Sequence, residues 1–258
     1  LVESFGLDEA FLEVEGGEAE EGGEGGEEKT VFTKALDIAR EIKKRVRKDL
    51  GLTCSVGIAP NKLLSKMASE LKKPDGFSVI REKEVEKVLR PLPVRSLWGV
   101  GPKTEARLKE IGMKTVGELR EAQLLYLERT FGPSFGRMLH DHSRGIDESP
   151  VVPFHEPQSI SRELTFERDT GDRHLLKGTL YELTKDAAGR LRERKRKCRT
   201  VTLKIRYADF QTITRSYTVH DATDSLNSIW KSALEALERV EFTKKVRLVG
   251  VKLSGLEG

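Results

Sequence analysis

In the stretch SFGLDEAFLEVEG, residues 4–16, Asp8 and Glu9 stand side by side. On a straight strand neighbouring side chains point to opposite faces, but at a hairpin bend both can converge on one point. Converging carboxylates are hard oxygen donors that suit Mg²⁺, which takes one or two protein carboxylates and completes its shell with water and phosphate oxygens. A cation held there beside a nucleoside triphosphate lowers the pKa of an attacking hydroxyl and neutralises charge during an in-line displacement. The plainer alternative is a solvated turn, where adjacent acids are common.

Two further constellations carry chemistry of a different kind. In LWGVGPKTEARLKEIGMKTVGELREA, residues 97–122, Gly99-Val100-Gly101 makes a tight hairpin, Pro102 fits the first position of a helix and Gly112 closes that helix. Thr115 and Glu118 have capping-box spacing and start the next helix. Such a helix-hairpin-helix aims backbone N–H groups and a positive helix end at a phosphate, with Lys103 and Arg107 nearby. A weaker echo follows in FGPSFGRMLHDHSRG, residues 131–145. Gly-x-Gly turns before helices are common, so this motif by itself leaves a purely structural role open. In TVTLKIRYADF, residues 200–210, Val201, Leu203, Ile205 and Tyr207 alternate with Thr202, Lys204 and Arg206. One strand face is then apolar and the other basic. With Thr212, Thr214 and Arg215 of the next strand, these groups suit phosphate oxygens. Outward strand residues are ordinarily polar, which is the alternative here.

The elements that must position these residues fall into three stretches. Residues 2–14 read as two short strands around Gly6, and the acidic, Gly-rich residues 16–28 as a flexible surface loop. An amphipathic helix follows on Phe32, Ala35, Leu36, Ala39, Ile42 and Val46, then a β-rich run over 52–59. Asn61 starts a second helix with Leu63, Leu64, Met67, Ala68 and Leu71 on one side, and KKPDG, residues 72–76, stops it. This describes an α/β domain with few strands. Residues 82–147 are short helices punctuated by glycine. After the Pro-rich stretch 147–158, strands at 159–168, 200–210, 211–219 and 245–256 alternate with helices on Leu175–Leu191 and Leu226–Val240. The order β-α-β-β-α-β implies a sheet with helices on one face.

Composition narrows the class. Residues 1–28 carry eleven acids and no Lys or Arg, so all 46 basic residues face only 31 acidic ones downstream. A surplus spread over several elements points to a polyanion such as nucleic acid. No run of about 18 apolar residues is present to span a membrane as a helix, and no signal segment opens the chain. Cys54 and Cys198 lack metal-ligand or redox spacing, which fits a reducing, cytoplasmic setting. The opening at Leu1, inside a patterned segment, reads as that of a fragment.

Taken in order, LDEAFLEV, CSVGIAPNKLLSKMASELKKPDG, the Gly99-Val100-Gly101 hairpin and the TVTLKIRYADF…RLVGVKLSGL module closely resemble the Y-family translesion DNA polymerases, on the DNA polymerase IV side. The resemblance implies an α/β and α+β multidomain fold: the C-terminal part of a palm over 1–80, a helix-hairpin-helix thumb over 81–150, a linker over 151–158 and a β-α-β-β-α-β little finger over 159–258. It implies Asp8 and Glu9 as metal ligands, Glu9 as the adjacent catalytic acid, two Mg²⁺ ions, and Lys73 as the contact to the incoming triphosphate. It also implies DNA-backbone contacts around Val100, Gly101 and Lys103 and in the little finger. Primer–template DNA, a dNTP and a sliding clamp are the implied partners of a monomer. Lys73 as a simple helix-end cation is the alternative for that residue.

The sequence departs from the family at Gly6, where Ser is usual, at Phe11, where Tyr is usual, and in its acidic insertion. The family's first strand with its opening aspartate, its fingers and its ribose gate all precede the part matched by Leu1. The resemblance therefore implies a piece that lacks a metal ligand and does not polymerise alone. A rival reading is a catalytically silent paralogue that binds DNA and recruits a polymerase. Such paralogues tend to lose the metal carboxylates, and Asp8 and Glu9 are present.

Overall fold

The computed structural model describes residues 1–15, 23–154 and 156–258, with backbone only for 23–30. The chain divides into two compact units, Leu1–Phe154 and His155–Gly258.

The first unit opens with an antiparallel hairpin of β1 (Val2–Phe5) and β2 (Glu9–Leu12), turned through Gly6, Leu7 and Asp8. Gly6 takes φ +71°, a region that glycine enters freely. Register pairs Glu3 with Phe11 and Phe5 with Glu9, so these four share one face. The rings of Phe5, Phe11 and Trp98 meet there at centroid separations of 5.5–5.8 Å. Helix α1 (Gly23–Leu50) precedes β3 (Val56–Ile58), and α2 (Lys62–Glu70) crosses over to β4 (Phe77–Val79), which pairs parallel with β3. The loop expected over 16–28 is corrected in part. Residues 23–28 belong to α1, a helix long enough to propagate through glycines once nucleated downstream, and 16–22 lie outside the described residues.

Helix α2 buries Leu63, Leu64, Met67 and Ala68. Leu71, expected on the same face, sits past the last turn and is exposed. Asn61 caps the helix by accepting from the Leu64 N–H at 2.9 Å, while Asp147 accepts from the Leu63 N–H at 2.9 Å. A second capping acceptor thus arrives from 84 residues away, consistent with α2 sharing one core with the helices that follow. Gly57 makes the α2–β3 contact possible, because a Cβ there would lie 2.1 Å from the Ser65 carbonyl oxygen.

Beyond β4, α3 (Val85–Leu89), α4 (Pro102–Glu110), α5 (Val116–Arg120), α6 (Leu124–Phe131) and α7 (Pro133–Ser143) pack around Leu89, Val94, Leu97, Leu108, Leu119, Leu127 and Leu139. The capping box at Thr115 and Glu118 forms, with the Thr115 N–H donating to Glu118 at 2.8 Å and the Glu118 N–H to the Thr115 hydroxyl at 3.2 Å.

The second unit is β5 (Ser159–Thr170), α8 (Arg173–Glu193), β6 (Lys197–Tyr207), β7 (Thr212–Thr223), α9 (Leu226–Glu238) and β8 (Val246–Glu257). The strands form one antiparallel sheet in the order β5-β8-β6-β7. Both helices cover one face, where Val201, Leu203 and Ile205 meet Leu176, Leu180, Ile229 and Ala233. Cys198 is buried in this core, which pushes its thiol pKa up to about 11.

Candidate active site and nucleic-acid interface

The hairpin delivers its two candidate carboxylates differently. Glu9 lies on the inward face with Glu3, toward α2, where Lys62 and Lys66 stand one turn apart. Each lysine meets one acid: Lys62 donates to Glu3 at 2.7 and 2.8 Å, and Lys66 to Glu9 at 2.5 Å. Asp8 is exposed in the turn and makes no hydrogen bond or ion pair among the described residues. Lys66 also donates to Glu70 at 2.9 Å, and Glu70 accepts from Lys73 at 2.6 Å. Glu9, Lys66, Glu70 and Lys73 therefore form one continuous chain of alternating charge.

Burial disfavours the Lys66 ammonium, yet its bonds to Glu9 and Glu70 outweigh that and raise its pKa. Hydrogen bonds from Lys73 and then Lys66 lower the Glu70 pKa against a smaller burial effect. Lys73 itself is set by the turn that follows. Lys43 of α1 donates to the Asp75 carbonyl at 3.0 Å, the Gly76 carbonyl at 3.3 Å, the Cys54 carbonyl at 2.5 Å and the Asp75 carboxylate. This ammonium pins the residues just after Lys73-Pro74 to the helix and to the approach to β3.

Asp8 and Glu9 fit a divalent cation in donor type and number, since Mg²⁺ takes one or two protein carboxylates beside substrate phosphates. Among the described residues no group of three potential ligands converges.

At the hairpin before α4, Gly99 takes φ +94° and Arg95 donates to the Val100 carbonyl at 2.8 Å. The Val100 N–H donates to the Leu97 carbonyl at 3.0 Å and its side chain is buried, so Val100 shapes the loop and is not a free donor. The first-turn amides at Lys103 and Thr104 have no acceptor within the helix, and the Lys103 side chain is exposed and unpaired among the described residues. Arg107 instead lies over the Phe131 ring at 4.9 Å and donates to the Thr130 carbonyl.

In the second unit, register places Thr202, Lys204 and Arg206 on the helix-free face, opposite Ser216, Thr214 and Thr212 of β7. Thr202 shares a hydrogen bond with Ser216 at 2.9 Å, Thr200 with Thr218 at 3.0 Å, and Arg206 donates to Thr212 at 3.0 Å. Lys204 donates to Glu163 of β5 at 2.6 Å. Arg215 is not brought to this face. It pairs with Leu203, and its side chain belongs to the helix-covered side at the sheet's edge. Lys252 of β8, between Ser161 and Thr202, was missed by sequence reasoning and is exposed without a partner among the described residues. Its alternation with Val251 and Leu253 was the signal that could have found it.

Comparison with known proteins identifies the family. Residues 1–70 match the model of the impB/mucB/samB family, 95–147 that of a DNA polymerase-iota thumb domain, and 157–258 that of the impB/mucB/samB C-terminal domain. A solved Y-family DNA polymerase chimera superposes with a TM-score of 0.84 at 24% identity, covering 99% of this chain and 71% of its own. The fold is that of the Y-family polymerases. DNA polymerase IV of Methanoculleus marisnigri is 41% identical over 257 residues, all of this chain and 68% of that protein. DNA polymerase IV of Stenotrophomonas maltophilia K279a is 42% identical over 261 residues, 99% of this chain and 67% of that protein. The chain belongs to the Y-family DNA polymerases, in the DNA polymerase IV group, and the enzyme class is DNA-directed DNA polymerase of the translesion type. Among the described residues no helix is long and apolar enough to cross a membrane.

Proposed function

We propose that Asp8 and Glu9 hold the Mg²⁺ used in nucleotidyl transfer and that Glu9 stands beside the primer hydroxyl. The ion supplies charge neutralisation at the phosphates and a lowered hydroxyl pKa. Lys73 contacts the triphosphate of the incoming dNTP. The amides at Gly101 and Lys103, with the Lys103 ammonium, grip one stretch of DNA backbone. Thr202, Lys204, Arg206 and Lys252 grip another from the open face of the second unit. Palm over 1–80, thumb over 81–150 and little finger over 159–258 are the corresponding domain roles, and a cytoplasmic monomer that meets a sliding clamp is part of the same reading.

The observation that carries this reading is the inward face of the hairpin. It turns Glu9 toward α2 and so links the candidate metal acid, through Lys66 and Glu70, to the candidate triphosphate lysine. Primer extension by the full-length protein with Mg²⁺ and dNTPs, on undamaged and abasic templates, tests it. Glu9→Ala is expected to abolish extension with DNA binding intact. Lys73→Ala is expected to raise the KM for dNTP by about tenfold or more, the scale of a lost charge-assisted hydrogen bond. Wild-type extension that Glu9→Ala leaves untouched would remove Glu9 from the chemistry, and no extension by either protein would favour the recruiting paralogue.

A further inference from the structure

Lys66 sits between two carboxylates that belong to different jobs. On one side is Glu9, assigned above to the metal, and on the other Glu70, which also holds Lys73. The side chains of Lys66 and Glu9 are only 18% and 33% exposed, whereas Glu70 and Lys73 are each 47% exposed. The inner pair is therefore screened less than the outer one. Glu70 takes both Lys66 and Lys73 on the same oxygen, Oε1, so the two ammonium groups compete for it.

We infer that Lys66 is a positioning residue that couples occupancy of Glu9 to the freedom of Lys73. This rests on the site assignment proposed above. Without a cation at Glu9, Lys66 divides its donors between Glu9 and Glu70, and Glu70 has charge left over to hold Lys73. When Glu9 turns to a divalent cation, Lys66 loses one carboxylate and draws wholly on Glu70. The Glu70–Lys73 pair weakens and Lys73 becomes available to a triphosphate. By linkage the reverse holds as well: a triphosphate that takes Lys73 strengthens Glu70 for Lys66 and relieves Glu9 of its ammonium. No covalent bond is made or broken in this exchange and no proton is transferred.

The test is dNTP affinity without chemistry, read by fluorescence on the full-length protein bound to a dideoxy-terminated primer–template, at trace and at saturating Mg²⁺. Glu70→Gln, an exposed substitution at a residue assigned neither to the metal nor to the triphosphate, releases Lys73 in advance. It is expected to tighten dNTP binding about two- to fivefold at trace Mg²⁺, the range that one exposed ion pair supports, and to match wild type at saturation. Lys66→Met leaves Glu70 with Lys73 at all times and is expected to weaken binding by a similar factor at saturating Mg²⁺ and by less at trace Mg²⁺. A Glu70→Gln gain of equal size at both concentrations would be charge removal alone and would overturn the coupling, as would no gain at either. Lys73→Ala separates the two failures. If it weakens binding while Glu70→Gln does nothing, only the coupling is wrong; if it changes nothing, the assignment of Lys73 falls first.

Discussion

Lys62 and Lys66 differ by one helical turn and by what their ion pairs do. The Glu3–Lys62 pair has side chains 6% and 11% exposed, and Glu3 also accepts from the Val152 N–H at 2.8 Å. Removing one member of such a pair strands a buried charge, so Glu3→Ala is expected to destabilise the first unit by about 3 kcal/mol, measured by urea unfolding. Asp147 supplies a pH dependence. Burial alone would raise its pKa, but hydrogen bonds from Ser149 and the Leu63 N–H, with the charge of His142, bring it below the ordinary aspartate value. A depressed folded-state pKa contributes stability that is complete above the unfolded value near ~4 and is lost as pH falls through the folded one. Asp147→Asn is therefore expected to flatten the acid limb of a stability–pH curve below about pH 4, with little change in its slope near neutrality. Wild-type and variant curves of the same shape below that point would count against the cap. Asp8 and Glu9 were visible in the sequence as a pair because adjacency needs no fold. The lysine that joins Glu9 to Glu70 was not, since 57 residues separate Glu9 from Lys66 and only the placement of α2 against the hairpin brings them together.

Elements meet where glycine lets them. At Gly57 a methyl group would collide with the backbone of α2 at Ser65 and Ser69. Gly57→Ala is expected to cost about 1–3 kcal/mol and, by pushing α2 outward, to loosen the contacts of Lys66. Gly178, on the exposed side of α8 with open space around it, should respond with the opposite sign. Gly178→Ala is expected to stabilise the second unit by about 0.5–1 kcal/mol. Thermal unfolding of the two variants reads both signs in one experiment. Helix and strand types were legible from periodicity at this scale, and the capping box from Thr115-x-x-Glu118 alone. Arg215 shows what attention to parity adds. Ile213, Arg215 and Tyr217 alternate with Thr212, Thr214 and Ser216, so the strand itself placed Arg215 with the apolar set. Residues 23–28 went the other way, because a segment with glycine at every second position or so has poor propensity despite its glutamates, and its continuity with α1 makes it helical.

At the scale of the whole molecule the two units each carry a candidate DNA surface, and the basic surplus downstream of residue 28 is the property they share. Backbone contacts through charge predict steep salt dependence whatever the base sequence. Lys252→Ala is expected to lower the slope of log Kd against log salt by about one for random-sequence duplexes, because an unpaired ammonium brings a full counterion release. Lys204→Ala should change the slope less, since Glu163 already neutralises that ammonium; equal effects would show that Glu163 lets go on binding. The surplus was legible from residue counts alone, whereas the partnering that ranks the lysines depends on cross-strand register. The hydroxyl pairs of that open face have one more effect. In the pairs Thr200 with Thr218, and Thr202 with Ser216, either hydroxyl can donate, and the accepting one keeps its own proton free. Concerted rotation about the two C–O bonds swaps donor and acceptor, so the proton left to point outward is not fixed to one strand. If that face carries DNA backbone as proposed above, each pair can offer its spare proton from either strand, which favours sliding over a single fixed register.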